Sequence, residues 1–203
     1  NCRCEAGRGA LLRRKGWLAD RLRSADLILF PSESARRVLI ANGVPESRTA
    51  VNENGIDVTD ALPRREGGGP VRFMYTGGDA QMKGYEVLRE AANLASVPEG
   101  TTLDLYNTPA EGFPQWAHTR PRYDRDEIGE VFAAHDVLIL PSLMRESHSI
   151  VTREALRAGL AVIATDSVGP EEAMMHGTNG LVVKSGDARE LARVHVAILC
   201  GLR

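Results

Sequence analysis

Short apolar runs alternate along the chain with longer segments whose apolar positions recur at helical spacing. Runs such as Phe73-Met-Tyr75 and Val137-Leu-Ile-Leu140 are apolar at every position rather than every second one. A strand of that kind is buried on both faces, so the rhythm predicts a parallel sheet with helices packed on either side. The expected fold class is α/β.

In detail, the pattern predicts a basic helix over 11–23, a strand over 25–30 closed by Pro31, a helix over 34–41 stopped by Asn42-Gly43, and a strand from Thr49 to a turn at Asn54-Gly55. Between Asp57 and Pro70 the periodicity lapses, and Gly67-Gly68-Gly69-Pro70 has the composition of a flexible connection. The predicted organisation is therefore the end of one domain over 1–57, a linker over 58–70, and a second domain over 71–203. That domain begins with a strand over 71–76, a helix over 85–95, a strand over 102–106 and an irregular stretch over 107–123. Asp124 with Glu127 makes a capping box for a helix reaching Ala134, followed by a strand over 136–140. A helix over 150–158, a strand over 161–165, a short helix with Pro170 at its first position and a strand over 181–183 continue the series. Asp187 with Glu190 is expected to cap the last helix, which is still apolar where the sequence stops. With no initial Met, this reads as part of a longer protein, truncated in its last helix.

Composition narrows the classes. At 43% hydrophobic and 26% charged residues the chain is an ordinary globular one, neither disordered nor fibrous. A net charge of -2 gives no general basic field, so no nucleic acid is expected as a partner. Cys2, Cys4 and Cys200 make neither a disulfide framework nor a four-ligand zinc site, and no metal is expected. There is no apolar run of the roughly 20 residues that span a bilayer, and no signal-peptide core at the start. A cytoplasmic location follows as the expectation. The basic segment 11–23 fits an interfacial helix giving peripheral membrane contact at the cytoplasmic face, and equally an ordinary surface helix.

Three strand-to-helix connections have the character of a ligand site, and two of them carry the candidate chemistry, because ligands of open parallel sheets bind beyond the carboxyl ends of the strands, where helix N-termini offer free N–H groups. In Thr76-Gly77-Gly78-Asp-Ala-Gln-Met-Lys83-Gly84, the glycines permit close backbone approach and Lys83 supplies a cation, which suits a phosphate. The same residues fit a plain turn with a surface lysine. In Pro141-Ser-Leu-Met-Arg-Glu146-Ser-His-Ser149-Ile150-Val151-Thr-Arg-Glu154, two carboxylates lie seven residues apart. With Ser147 or Ser149 as helix cap, Glu146 stays in the loop and Glu154 projects from the helix into the same crevice. Each can accept two hydrogen bonds from a vicinal diol, and the amides of Ser149, Ile150 and Val151 face a phosphate. Both acids also fit a solvated surface. His148 lies among these residues and fits either an acid–base role or a packed position. His118, His135, His176 and His195 form no ligand cluster and read as surface or partly buried.

Taken together, Gly77-Gly78…Lys83-Gly84, Asp136-Val-Leu-Ile-Leu-Pro-Ser142, Glu146, Glu154-Ala-Leu-Arg-Ala-Gly159, Val162-Ile-Ala-Thr-Asp166, Gly169-Pro-Glu-Glu172 and Gly177-Thr-Asn-Gly-Leu-Val-Val183 resemble the C-terminal domain of the group 1 (family 4) glycosyltransferases. The resemblance extends from about residue 25 to about residue 199. It implies a GT-B fold, two Rossmann-like domains with the active site between them, and retaining transfer of a sugar from a nucleoside diphosphate-sugar to an acceptor such as a glycan, lipid or small molecule. It implies no metal and no cofactor beyond that donor substrate. Carried over by position, Lys83 holds the diphosphate and Glu154 the ribose. Glu146 contacts the sugar, so Glu146 and Lys83 are the catalytic candidates. Gly77, Gly78, Ser149, Ile150, Val151 and Glu172 complete the donor-binding set. Gly78 departs from the family, which usually has an arginine there; either a nearby arginine such as Arg145 or Arg122 substitutes, or donor binding is weaker. Val168 stands where the family has a second glycine. A nucleotide-sugar-binding module without activity, or another GT-B enzyme such as a nucleotide-sugar epimerase, stays open as an alternative.

Overall fold

The computed structural model describes residues 7–56 and 69–201. Most of the expected linker over 58–70 lies outside them, as do Cys2 and Cys4. The chain divides into two compact units, Asn1–Asn54 and Gly55–Arg203.

The first unit holds α1 (Arg8–Ser24), β1 (Ile28–Phe30), α2 (Glu33–Ala41) and β2 (Thr49–Val51). β1 and β2 pair in parallel, Ile28 opposite Thr49. Ser32 caps α2, its hydroxyl accepting the Ala35 N–H at 3.1 Å. Among the described residues no helix is long and apolar enough to cross a membrane.

The second unit is a six-stranded parallel sheet between helices. In chain order it runs β3 (Arg72–Tyr75), α3 (Tyr85–Leu94), β4 (Thr102–Tyr106), β5 (Ala117–Arg120), α4 (Ile128–Ala133), β6 (Val137–Leu140), α5 (Ile150–Arg157), β7 (Ala161–Thr165), β8 (Gly180–Val183) and α6 (Ala188–Gly201). The strand order is β5-β4-β3-β6-β7-β8. Alternate residues of each strand feed two cores. Phe73, Tyr75, Leu103, Leu105, Val137, Ile139 and Ile163 pack with Leu88 of α3 and Leu191 of α6. Met74, Leu138, Val162 and Ala164 pack with Phe132 of α4 and Ala155 of α5. Burial on both faces is what the continuous apolar runs require, and the α/β class follows.

Several local expectations change. The stretch over 107–123 contains β5, an edge strand with only Ala117 buried. The Asp124–Glu127 capping box forms, but it opens a 3-10 turn, Arg125–Glu127, that leads into α4. Pro170 stands before a single 3-10 turn, Glu171–Ala173, and not inside a helix. At the last helix Asp187 accepts the Glu190 N–H at 2.9 Å, while the Glu190 carboxylate accepts from Lys184 N–H. His135 is buried rather than superficial. Its Nε2 lies 3.0 Å from Asp104 Oδ2 and its Nδ1 2.7 Å from the Val131 carbonyl. Burial alone would push the Asp104 carboxyl up, but hydrogen bonds from His135 and Arg120 outweigh it and hold the carboxyl below its usual range.

Candidate functional site

β3 and β6 are neighbours, yet the chain runs outward from them in opposite directions, to β4 and β5 on one side and to β7 and β8 on the other. The crevice beyond the carboxyl ends of such a pair is where open α/β sheets bind ligands. The Thr76–Gly84 and Pro141–Ser149 connections leave β3 and β6 at this place.

Backbone packing joins the two loops. Gly84 is left-handed at φ 77°, and a Cβ there would lie 1.8 Å from the Pro141 carbonyl oxygen, so only glycine fits. The Leu143 N–H donates to the Met82 carbonyl at 2.9 Å. Beneath the first loop the Tyr75 hydroxyl donates to the Gly78 carbonyl at 2.8 Å, and its ring fills the space that a side chain at Gly77 would need. Burial, and next the Asp79 charge, push the Tyr75 hydroxyl far up, so it stays a donor.

This packing brings Lys83 and Glu146 into contact. Lys83 Nζ donates to Glu146 Oε1 at 2.6 Å, and the Ser142 hydroxyl donates to the same oxygen at 2.7 Å. Ser142 is itself 4% exposed, and its carbonyl accepts from the Thr165 hydroxyl at 2.7 Å. The Lys83 side chain keeps 38% of its surface and Glu146 17%, so the cation faces the crevice while the carboxylate sits deeper.

α5 begins at the end of this loop, and the first-turn amides of a helix have no partners within it, which suits them to binding anions. Ser149, and not Ser147, occupies its N-cap position, but its hydroxyl does not cap the helix. It is left-handed at φ 59°, and its hydroxyl pairs with that of Thr152 at 2.6 Å. The backbone amides of Ile150 and Val151 belong to that first turn. Glu154 lies one turn on, half-buried, its charge acting on the Tyr123 hydroxyl. Burial is the larger cause that raises the Tyr123 hydroxyl, which donates to Thr76 Oγ1 at 3.2 Å. Tyr123 stacks edge-on against Tyr106, with ring centroids 5.1 Å apart. Tyr123 has no signal in the sequence, because an aromatic after an irregular stretch is ordinary, and Thr76 is marked only as the residue that leads from the strand into the glycines.

A third connection, after β7, braces Glu146. The Glu146 N–H donates to the Ser167 carbonyl at 2.8 Å. Val168 pairs with Glu146 as an isolated bridge and has φ 81°. That conformation costs a β-branched residue about 1–3 kcal/mol. Gly169 touches the same loop, for a Cβ there would lie 2.7 Å from both Glu146 O and His148 N. Glu172 is exposed on the 3-10 turn that follows. His148 is 1% exposed, so its ring is packed in the protein and not presented to the crevice. Gly78 is left-handed at φ 70° with open space about it, and Arg145 and Arg122 are both exposed. Among the described residues no group of three or more His, Cys, Asp or Glu is placed to hold a metal ion.

The fold and this crevice define a class, the GT-B proteins. The Anabaena HepE protein, solved with UDP and glucose, superposes with a TM-score of 0.78 at 20% identity over 94% of this chain and 58% of that one. Sucrose-phosphate synthase of Thermosynechococcus elongatus gives a TM-score of 0.75 at 22% identity, over 96% of this chain and 54% of that one. The chain belongs to the group 1 glycosyl transferases, whose family profile matches residues 70–200. It is 30% identical over 184 residues to the GDP-mannose-dependent alpha-mannosyltransferase of Mycobacterium tuberculosis, and 26% identical over 200 residues to the D-inositol 3-phosphate glycosyltransferase of Pseudarthrobacter chlorophenolicus. These alignments cover 84% and 86% of this chain and 47% of each relative, so the chain spans about half the length of the curated relatives it matches.

Proposed function

We propose that the chain is the donor-binding half of a retaining glycosyltransferase that uses a nucleoside diphosphate-sugar. The observation that carries this reading is the meeting of Lys83, Glu146 and the start of α5 at the β3–β6 crevice. Lys83 and the first-turn amides of α5 hold the diphosphate, Glu154 accepts from the ribose hydroxyls, and Glu146 orients the sugar. Gly77 and Gly78 let the backbone approach, and Glu172 borders the donor. The names of the two curated relatives and the UDP bound by HepE support a nucleotide donor.

In the reaction the bond between the anomeric carbon and the phosphate oxygen breaks, with its electron pair passing to the diphosphate. An acceptor hydroxyl attacks from the same face and gives its proton to the leaving phosphate oxygen, so the configuration is retained without a protein nucleophile. Charge grows on the diphosphate as the bond breaks, where the α5 amides and Lys83, once it turns from Glu146 to the diphosphate, stabilise it. Each such fixed donor is worth roughly 3 kcal/mol in a transition state. The acceptor is a glycan, lipid or small molecule, and the enzyme works in the cytoplasm, with α1 available for peripheral contact with a membrane.

Calorimetry against UDP-, GDP- and ADP-sugars, followed by product analysis with the full-length protein, tests the reading. Saturable binding of one donor and a product of unchanged anomeric configuration are expected. Failure to bind any of the three overturns it, and donor binding without product would make the chain an inert binding module.

A further inference from the structure

Three features converge on one turn outside the residues so far given a chemical role. The Gly169 N–H returns to the Ser167 carbonyl at 3.1 Å, closing a γ-turn whose central residue, Val168, has φ 81°. The Ser167 carbonyl in that turn is also the acceptor for the Glu146 N–H at 2.8 Å. The third is a latch, since the Val168 N–H donates to Glu171 Oε1 at 3.2 Å. γ-turns with positive central φ are rare and strained, and β-branched residues resist the left-handed region most.

A strained turn persists only where its surroundings over-determine it, and such turns gather at functional sites. Here the turn fixes the backbone of the carboxylate that touches Lys83. The Lys83 and Ser142 bonds, by contrast, hold the Glu146 side chain.

We propose that Val168 is a positioning residue for Glu146, acting through the strained Ser167–Gly169 turn, with Glu171 as the latch that keeps the turn from relaxing. The inference rests on the reading of Glu146 as the residue that orients the donor sugar. Without the latch, valine returns to negative φ, the Ser167 carbonyl swings away from the Glu146 amide, and the carboxylate loses its register with the sugar. The nucleotide contacts at Lys83, α5 and Glu154 are untouched. Glycine at 168 would have no reason to leave the turn, so it would make the latch dispensable.

The test uses the full-length protein as parent, Glu171→Ala, and the double variant Glu171→Ala/Val168→Gly. Three quantities are read: hydrogen exchange at the Glu146 amide, the Kd of bare UDP and of bare GDP, and kcat with UDP-glucose or GDP-mannose. Glu171→Ala is expected to speed Glu146 exchange about tenfold or more and to lower kcat about tenfold to hundredfold, with bare nucleotide bound no more weakly than by the parent. The double variant is expected to return exchange and kcat to near the parent values. A latch with any other structural duty would not be relieved by a glycine three residues away. Parent-like exchange in Glu171→Ala, or no rescue in the double variant, overturns the proposal. If exchange follows the expected order while the parent binds and transfers from none of the UDP-, GDP- and ADP-sugars, the turn assignment stands and the functional reading fails.

Discussion

Replacing Glu146 by glutamine gives the most informative outcome, because the carboxylate both serves the sugar and occupies the cation. Glu146 Oε1 lies 2.6 Å from Lys83 Nζ, so an arriving diphosphate competes with a partner already in place. Glutamine keeps an acceptor for Ser142 and removes the charge. Because Lys83 is 38% exposed, the pair belongs with solvent-screened ion pairs, worth about 0.2–1 kcal/mol. Releasing Lys83 should thus tighten bare UDP or GDP by roughly 1.4- to 5-fold at low salt. The gain should shrink as salt rises and the screening length falls from about 10 Å at 0.1 M to about 3 Å at 1 M. Turnover should move the opposite way, because charged hydrogen bonds to the sugar, worth about 1.5–3 kcal/mol, become neutral ones. Calorimetric titration of Glu146→Gln and parent at two salt concentrations reads the first effect, and single-turnover kinetics on the full-length protein the second. Equal or weaker binding of both nucleotides by the variant at low salt would refute the competition argument.

The other substitutions separate the parts of the site. Lys83→Ala should weaken UDP and GDP about tenfold, the lower end for charged hydrogen bonds because the lysine must first leave Glu146; unchanged titrations would exclude it from the diphosphate. Glu154→Gln should cost bare nucleotide roughly 1.5–3 kcal/mol, and a deoxyribose nucleotide should bind parent and variant alike. Gly78→Arg meets no steric obstacle, but φ 70° imposes strain of about 1–2 kcal/mol, so thermal melting should show a lower Tm even if calorimetry shows tighter diphosphate binding. Asp104 has its carboxyl held below the usual range, so its stabilisation is complete above about pH 3.9 and is lost as pH falls below that through the folded value. Urea unfolding of Asp104→Asn between pH 7 and pH 3 should therefore show a shallower acid dependence than the parent.

The strands of the second unit were legible because those buried on both faces are apolar without interruption, as in Val137–Leu140. β5 was hidden for the opposite reason: three of its four residues are exposed, so no pattern distinguishes it from loop. The two loops with Lys83 and Glu146 could be picked out by composition. That the side chains meet depends on strand order, and the spacing of strands along a chain does not state which will be neighbours. Gly84 advertises a special backbone, although its cause is the carbonyl of Pro141, far away in sequence. Val168 is marked only by standing where the family has a glycine; valine is the residue least expected at positive φ, and the turn it forms appears only in three dimensions. His135 was misjudged because its partners, Asp104 and the Val131 carbonyl, lie on another strand and on the preceding helix.

The pairing of β3 with β6 joins Phe73 to Val137 and Met74 to Leu138, the longest span of chain between any two paired strands of the sheet. Loop-closure entropy grows with that span, so this seam is the costliest strand contact to form. On one side lies a three-stranded piece ending with β5, on the other a three-stranded piece beginning with β6, and α6 returns to pack on α3 across the divide. A ligand lodged in the crevice touches loops from both pieces and so acts as a third tie between them. Its binding energy is then also cohesion of the sheet, and occupancy should protect the exposed segment between Arg120 and Asp124 from proteolytic separation of the halves.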